Sequence, residues 1–455
     1  MILNRKKIRS VHLIGIGGMG MSSLAFFLKF KNLKISGSDI GKDPVIKKLK
    51  KIGCDIYPTH SPENIKDPDL VIYSSAITQA NPELVKAKKR KISILKRGQA
   101  LGFFTDKMKN ITITGCHGKS TTTSISHLIL NNSNIKPTAF MGAEDRIIKS
   151  NFYAGNSKFS IIEGDESDNS FNEINSYMSL VTNIDNDHLD FYKTKSKLIS
   201  AFRRFIVNTK KKSIINGDSE MLNKLVETLP KDRIIKFGKG LNESNDYSFE
   251  IVKNNYSIIE VFKKRTRIGI FRSKLSGEYN CYNLAGSIIL ALELGVSPKE
   301  IQSCTVKCRA PVRRFETIAN NKNVKIIDDY AHHPTAIKSV RKNIEENYLK
   351  EEVILIFQPH RFSRTKILLK DFIEELSKWN NLYLVDIYSA FEKENIDVSN
   401  LFSEIKKKNP RAIFYKNKKI LINKIISKLK YKKYTILTMG AGDIRDVGIE
   451  LKKKV

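Results

Sequence analysis

The chain has 455 residues and a formal net charge of +33, with 80 Lys and Arg against 47 Asp and Glu. That length predicts about three domains with ample core, and the charge admits nucleic acid, an anionic membrane surface or phosphate-rich substrates. The lysines are dispersed, with short clusters at Lys47 to Lys51, Lys86 to Lys91 and Lys210 to Lys212 and no interleaved aromatic platform. A solvated basic surface is therefore expected, and nucleic-acid binding is not. Cys54, Cys116, Cys281, Cys304 and Cys308 show no zinc spacing, and their odd number argues against a disulfide framework, which points to a reducing, cytoplasmic setting. No targeting segment is evident, and no apolar run approaches the roughly 18 residues that span a bilayer.

In chain order, a strand is predicted over Ile8 to Ile14, a turn over Gly15 to Gly20, and a helix over Met21 to Lys31 with Leu24, Phe27 and Leu28 on one side. This places G-x-G-x-x-G between a strand and a helix. Asp39 follows a second short strand, Lys34 to Ser36. The pattern predicts a diphosphate against Gly15, Gly17, Gly18 and Gly20 and a ribose hydroxyl on Asp39. NAD, FAD and a nucleotide sugar all stay open, because their pyrophosphates look alike to backbone N–H groups. Helices after Pro44 and Pro82 alternate with strands at Leu70 to Tyr73 and Ile92 to Leu95, so residues 1–105 are expected to form one doubly wound α/β domain.

The next domain, 106–309, opens on TITGCHGKSTTT, Thr112 to Thr123. A strand containing Ile111 and Ile113 ends at Gly115, and Gly118, Lys119 and Ser120 open a helix with Ile125, Leu128 and Ile129 on one face. Backbone N–H groups at such a helix start cradle phosphates, Lys119 can reach the outer phosphates, and Ser120 can ligate Mg²⁺. A strand from Phe159 to Ile162 runs into Glu163 to Asp168, and one from Met178 to Ile184 runs into Asp185 to Asp190. In an open parallel sheet both clusters face the edge that carries the phosphate loop, so Glu163 and His188 join Ser120 as candidate metal ligands. Most members of the Glu163 to Asp168 run are expected to be solvated caps, with Glu163 the one singled out. From Asp246 to Lys274 alternating residues predict antiparallel strands around an Asn254-Asn255 turn, and a helix from about Asn280 to Leu294 closes the domain.

The third domain, 310–455, again delivers polar groups at strand ends. These are Asp328 to Pro334 after Lys325 to Ile327, Gln358 to Thr365 after Val353 to Phe357, Asp386 to Ser389 after Leu382 to Val385, and Met439 to Asp443 after Tyr434 to Leu437. Arg361 and Arg364 read as a clamp for carboxylate or phosphate. Of His332 and His333, one is expected to be structural.

The stretches GIGGMGMSSLA, SGSD, YSSAI, TGCHGKSTTT, EGDESD, VTNIDNDHLD, RRFE, DDYAHHPT, FQPHRFSRT and MGAGDI, in this order, resemble the Mur ligases of peptidoglycan synthesis over essentially the whole chain. The resemblance implies a three-domain α/β fold. Its parts are a Rossmann-like UDP-binding domain, a central P-loop ATPase-like domain with a mostly parallel sheet, and a C-terminal Rossmann-like domain for the amino acid. It implies ATP and Mg²⁺ as cofactors, UDP-N-acetylmuramate and L-alanine as substrates, and an amide formed through an acyl phosphate by a monomer or weak homo-oligomer. Gly15, Gly17, Gly18, Gly20, Asp39, Ser74 and Ser75 would then hold the UDP-sugar. Gly115, Cys116, His117, Gly118, Lys119, Ser120, Thr121, Asn280, Asn283 and Arg314 would hold ATP, and Ser120, Glu163 and His188 the metal. Catalytic roles fall to Lys119, His188, Asp329, His332, Arg361 and Arg364, with Tyr330 beside them. The chain departs from the family in having Tyr279 where His is usual and Ser120 where Thr is usual.

Overall fold

In the computed structural model, residues 2–3, 6–41, 44–253, 255–348, 351–390, 392, 398–429 and 432–455 are described. Three larger sheets organise the chain. The first contains β1 (Ser10–Ile14), β2 (Lys34–Ser38), β3 (Asp55–Tyr57), β4 (Leu70–Tyr73) and β5 (Ser93–Lys96). Their order is β3-β2-β1-β4-β5 and every pairing is parallel. The helix Met19–Phe30 buries Met21, Leu24, Ala25, Phe27 and Leu28, a stripe at helical spacing. Helix Pro82–Lys89 starts as its sequence dictates, with Pro at its first turn and Asn81 accepting the Glu83 and Leu84 N–H groups.

The second sheet has ten strands: β6 (Lys109–Thr114), β7 (Thr138–Asp145), β8 (Ser150–Tyr153), β9 (Phe159–Glu163), β10 (Ser176–Val181), β11 (Lys212–Asn216), β12 (Ile234–Lys239), β13 (Tyr247–Lys253), β14 (Ile258–Lys263) and β15 (Thr266–Arg272). Their order is β8-β7-β9-β6-β10-β11-β12-β13-β14-β15. The strands from β7 to β13 in that order pair in parallel, and β8 is antiparallel to β7. The strands expected between Asp246 and Lys274 exist, and β13 joins β12 in parallel, with Phe237 opposite Tyr247. Asn254 of the expected turn lies outside the described residues. Because β6 lies between β9 and β10, the strand order reverses there, and a crevice opens beyond its carboxyl end.

The third sheet runs β16-β17-β21-β18-β19-β20, where β16 is Glu316–Asn320, β17 Val324–Asp329, β18 Glu352–Phe357, β19 Leu382–Leu384, β20 Ile413–Phe414 and β21 Tyr434–Met439. Only β16 is antiparallel.

The chain divides into two compact units. One comprises 1–250, 259–272 and 282–309; the other comprises 251–258, 273–281 and 310–455. The first sheet and most of the second thus share a unit. Within it, helix Arg97–Thr105 packs so closely on the turn Ser170–Glu173 that a Cβ at Gly102 would overlap the Glu173 carbonyl. No helix among the described residues is long and apolar enough to cross a membrane.

Candidate active site

The chain leaves β6 at Thr114 and enters helix Lys119–Asn131 through Gly115 to Gly118. Gly118 has φ +84°, and a Cβ there would overlap Asn283 Oδ1, so the position requires glycine. Lys119 folds back over this turn. Its Nζ donates to the Gly115 carbonyl at 2.7 Å, to the Cys116 carbonyl at 3.4 Å and to Glu166 Oε1 at 2.7 Å. The same Glu166 oxygen is 3.2 Å from His188 Nε2. Ser120 Oγ donates to Glu163 Oε1 at 2.8 Å, while the Gly142 N–H holds Glu163 Oε2 at 2.7 Å. Of the three expected metal ligands, then, Ser120 and Glu163 are hydrogen-bonded to each other and His188 is bound to Glu166.

The segment after β10 grips the other side of the loop. His117 Nε2 lies 2.8 Å from Asp185 Oδ2, and the His117 N–H donates to Asn183 Oδ1 at 2.9 Å. The Asp185 N–H donates to Cys116 Sγ at 3.2 Å. Thr121 is buried in the helix start, and Asn283 Oδ1 accepts from Thr122 Oγ1 at 3.1 Å.

The expectation of solvated caps after Glu163 fails at Glu166, whereas Asp165 and Asp168 stay partly exposed and accept the Ser167 and Ser170 N–H groups, both at 3.0 Å. Glu166 is fully buried, and Asp165 accepts from Arg97 Nη2 at 3.0 Å. The turn at the carboxyl end of β9 directs Glu166 at Lys119 and His188 and brings the partly exposed Asp165 against Arg97. Desolvation opposes the charge on Lys119, but Glu166 and Asp165 outweigh it and raise the lysine's pKa. Desolvation likewise opposes the His188 cation, and Glu166 and Asp187 raise its pKa above the ordinary value. Desolvation would raise Asp165, and Arg97 and Lys119 hold it below the usual carboxylate range.

At the first sheet, the Gly15 and Ile16 N–H groups donate to the Ser38 carbonyl at 2.8 and 3.1 Å. Asp39 receives the Gly17 N–H on Oδ2 and the Gly41 N–H on Oδ1, both at 2.7 Å, so its carboxylate closes over the turn that contains Gly18 and precedes Gly20. Ser74 follows β4 and accepts from the Ala76 N–H at 3.3 Å; Ser75 beside it is exposed. Beneath this turn Glu83, fully buried, accepts from Ser38 Oγ at 2.6 Å and Asn64 Nδ2 at 2.7 Å and contacts His60 and His12.

The second unit carries its own cluster. Asp329 accepts the Phe315 and Ala331 N–H groups, each at 2.7 Å. Burial pushes its pKa up to about 6, against the opposing charge of Arg314. The guanidinium groups of Arg313 and Arg314 lie 5.0 and 4.8 Å from the Tyr330 ring centroid. His332 Nδ1 is 2.8 Å from the Tyr330 carbonyl, and its ring is 5.6 Å from His360. His360 in turn stacks on Tyr388 at 5.6 Å and 8°, with Arg364 Nη1 at 3.4 Å from its Nδ1. Arg361 opens helix Phe362–Ile367 and donates its N–H to the Tyr388 carbonyl at 2.8 Å. His333 caps helix Pro334–Asn347, accepting the Thr335 N–H at 3.3 Å. Asn280 Nδ2 donates to the Ser276 carbonyl at 2.7 Å.

Three family models cover this arrangement consecutively. The catalytic-domain model of the Mur ligase family matches residues 10–108, the Mur ligase middle domain 113–291, and the Mur ligase glutamate ligase domain 313–442. The chain belongs to the Mur ligase family. Curated relatives include the UDP-N-acetylmuramate--L-alanine ligases of Fusobacterium nucleatum, 35% identical over 99% of this chain and 98% of that one, and of Aquifex aeolicus, 35% identical over 99% of each. Among solved structures, the UDP-N-acetylmuramate-alanine ligase of Thermotoga maritima superposes with a TM-score of 0.82 at 26% identity over 98% of both chains.

Reading the sequence of this Mur ligase missed Glu166, Arg97 and Glu83. Glu166 is one of four acids in six residues, and nothing local ranks it above its neighbours. Arg97 and Glu83 stand in ordinary helix starts. His360 and Tyr388 lie in runs already marked as strand-end clusters, so their involvement could have been read from position alone.

Proposed function

We propose that this Mur ligase joins L-alanine to the lactyl carboxylate of UDP-N-acetylmuramate at the expense of ATP, in the cytoplasm, for peptidoglycan precursor synthesis. The observation that carries the reading is the pairing of Lys119 and Ser120 with buried or half-buried carboxylates in the β6 crevice, on a chain whose full-length relatives bear that name. Domain limits of 1–105 for the UDP-sugar, 106–309 for ATP and 310–455 for the amino acid go with it, as does a monomer or weak homo-oligomer.

The residues fit a triphosphate and a hard divalent cation. Ser120 and Glu163 offer adjacent oxygen donors, and Glu166 Oε2 is buried without a hydrogen-bond partner among the described residues. Ser120, Glu163 and His188 would hold Mg²⁺, and the ion would supply neutralisation of the phosphate charge. In the reaction a lactyl carboxylate oxygen bonds to the γ-phosphorus of ATP as the bond to ADP breaks. The alanine nitrogen then bonds to the acyl carbon, phosphate leaves with the C–O electron pair, and the amine proton passes to solvent or a nearby base. Lys119 exchanges its Glu166 partner for a phosphate oxygen and stabilises the charge spread there. The N–H groups at the start of helix Lys119–Asn131, from Gly118 to Thr121, orient the chain of phosphates, and Gly115, Cys116 and His117 form the loop that leads to them. Arg361, Arg364, His332 and Asp329 orient the amino acid, and Asn280, Asn283 and Arg314 the nucleotide.

Phosphate release with ATP, Mg²⁺ and UDP-N-acetylmuramate, compared across L-alanine, glycine, L-serine and a tripeptide, tests the assignment. L-Alanine is expected to give the highest kcat/KM. Turnover only with the tripeptide would sink the alanine reading, and no turnover with any amine would sink the ligase reading.

A further inference from the structure

Arg97 begins the helix Arg97–Thr105 behind the first sheet, and only 12% of its side chain is exposed. One end of its guanidinium is fixed by the central domain: Nη2 donates to Asp165 Oδ2 at 3.0 Å and to Ser170 Oγ at 2.9 Å. The other end lies against the Gly15 to Gly20 turn. A Cβ built on Gly20 would be 2.9 Å from Arg97 Cδ, 3.0 Å from Nη1 and 3.3 Å from Nε. Nε and Nη1 have no hydrogen-bond partner among the described residues. A largely buried cation with idle N–H donors is costly unless something acceptor-rich completes it. Here the donors border a glycine-rich turn at the start of helix Met19–Phe30, where backbone N–H groups favour an anion.

We propose that Arg97 is a ligand of the diphosphate of the UDP-sugar, held in aim by Asp165 and Ser170. The inference rests on the assignment of the first domain to a UDP-sugar. It gives the absence of a side chain at Gly20 a physical purpose, which is to let the guanidinium reach the turn. It also explains why the acid beside Glu166 is spent on an arginine from another sheet. Asp165 is a positioning residue in this scheme, since it acts through Arg97. A planar fork offering parallel N–H donors suits phosphate oxygens better than a point charge does.

The test measures binding of UDP and of uridine to the full chain by ligand-observed NMR competition, together with KM for UDP-N-acetylmuramate and for ATP. Arg97→Ala is expected to weaken UDP roughly 10- to 100-fold, the range of a hydrogen-bonded charge pair, and to raise KM for the UDP-sugar in step. Uridine affinity and the KM for ATP should change less than about threefold, as expected for a contact confined to the diphosphate. Arg97→Lys keeps the charge and stem and should lose roughly 3- to 10-fold in UDP affinity. It also keeps the test open should the alanine variant fail to fold. Equal losses for UDP and uridine would make Arg97 a structural staple and overturn the proposal, as would unchanged UDP affinity. A wild-type chain that binds neither UDP nor the UDP-sugar would instead overturn the assignment of the domain, and this proposal with it.

Discussion

Replacing Glu166 by Gln removes one negative charge from a site where a lysine and a histidine both lean on the same oxygen. Glu166 has no exposed surface, and the Lys119 side chain is 16% exposed. The Nζ to Oε1 separation is 2.7 Å and that to His188 is 3.2 Å. Removing one partner of a buried pair costs about 3 to 5 kcal/mol, because the remaining charge is left in a poorly solvating place. Lys119 keeps the Gly115 and Cys116 carbonyls, and glutamine can still accept through its amide oxygen, so the expected loss of stability without nucleotide lies at about 2 to 3 kcal/mol. Urea unfolding of the free protein reads it as a lowered midpoint at unchanged slope. A double-mutant cycle with Lys119→Met assigns the loss, and a coupling of about 1 to 3 kcal/mol is expected. Saturating ATP supplies Lys119 with phosphate oxygens and should narrow the gap between variant and wild type. A Glu166→Gln variant within 0.5 kcal/mol of wild type, or a cycle with no coupling, would refute the argument.

Lys119→Ala should lose about 3 to 4 kcal/mol of transition-state stabilisation in kcat/KM, by analogy with other preorganised donors; turnover near wild type in the phosphate-release assay refutes that role. Gly118→Ala places a Cβ on Asn283 Oδ1 at φ +84°, and should destabilise by about 1 to 3 kcal/mol and weaken ATP binding; an unchanged melting temperature and ATP affinity would contradict the geometry. Asp329 has its folded pKa raised from 3.8 to about 6, so between those values the native state binds more protons than the unfolded chain. Its contribution is complete below pH 4 and is lost as pH rises through 6, about 3 kcal/mol at most. Urea midpoints of Asp329→Asn against wild type from pH 4 to 7 should show the variant lacking that decline, and parallel curves would show the group is not desolvated as described.

Much of this protein is written locally. The G-x-G-x-x-G turn and the Gly115 to Ser120 turn can be found in the chain because glycine at a strand-to-helix turn, and the anion site at a helix start, depend only on neighbouring residues and backbone chemistry. The strands entering Glu163, Asp329, Gln358 and Gly440 are legible for the same reason. Their apolar runs end where polar residues begin, and parallel sheets gather such ends along one edge. The placement of Glu163 at the same sheet edge as Ser120 follows from that rule.

Pairings between side chains do not follow from it. Glu163 lies opposite Ile113 across the β9-β6 ladder, and this register decides that the turn after β9 carries Glu166 to Lys119 instead of to water. The four acids among Glu163 to Asp168 look alike in sequence, yet Glu166 is fully buried while Asp165 and Asp168 stay partly exposed. Arg97 reaches Asp165 across 68 positions, between two different sheets. Sequence alone determined the three αβ units, the glycine-rich turns of the first two and the family, since those depend on periodicity and backbone geometry. Only the tertiary structure decided which carboxylate holds Lys119, which histidine caps a helix and where Arg97 points, because each is a matter of a few ångströms between segments that strand register and helix packing bring together.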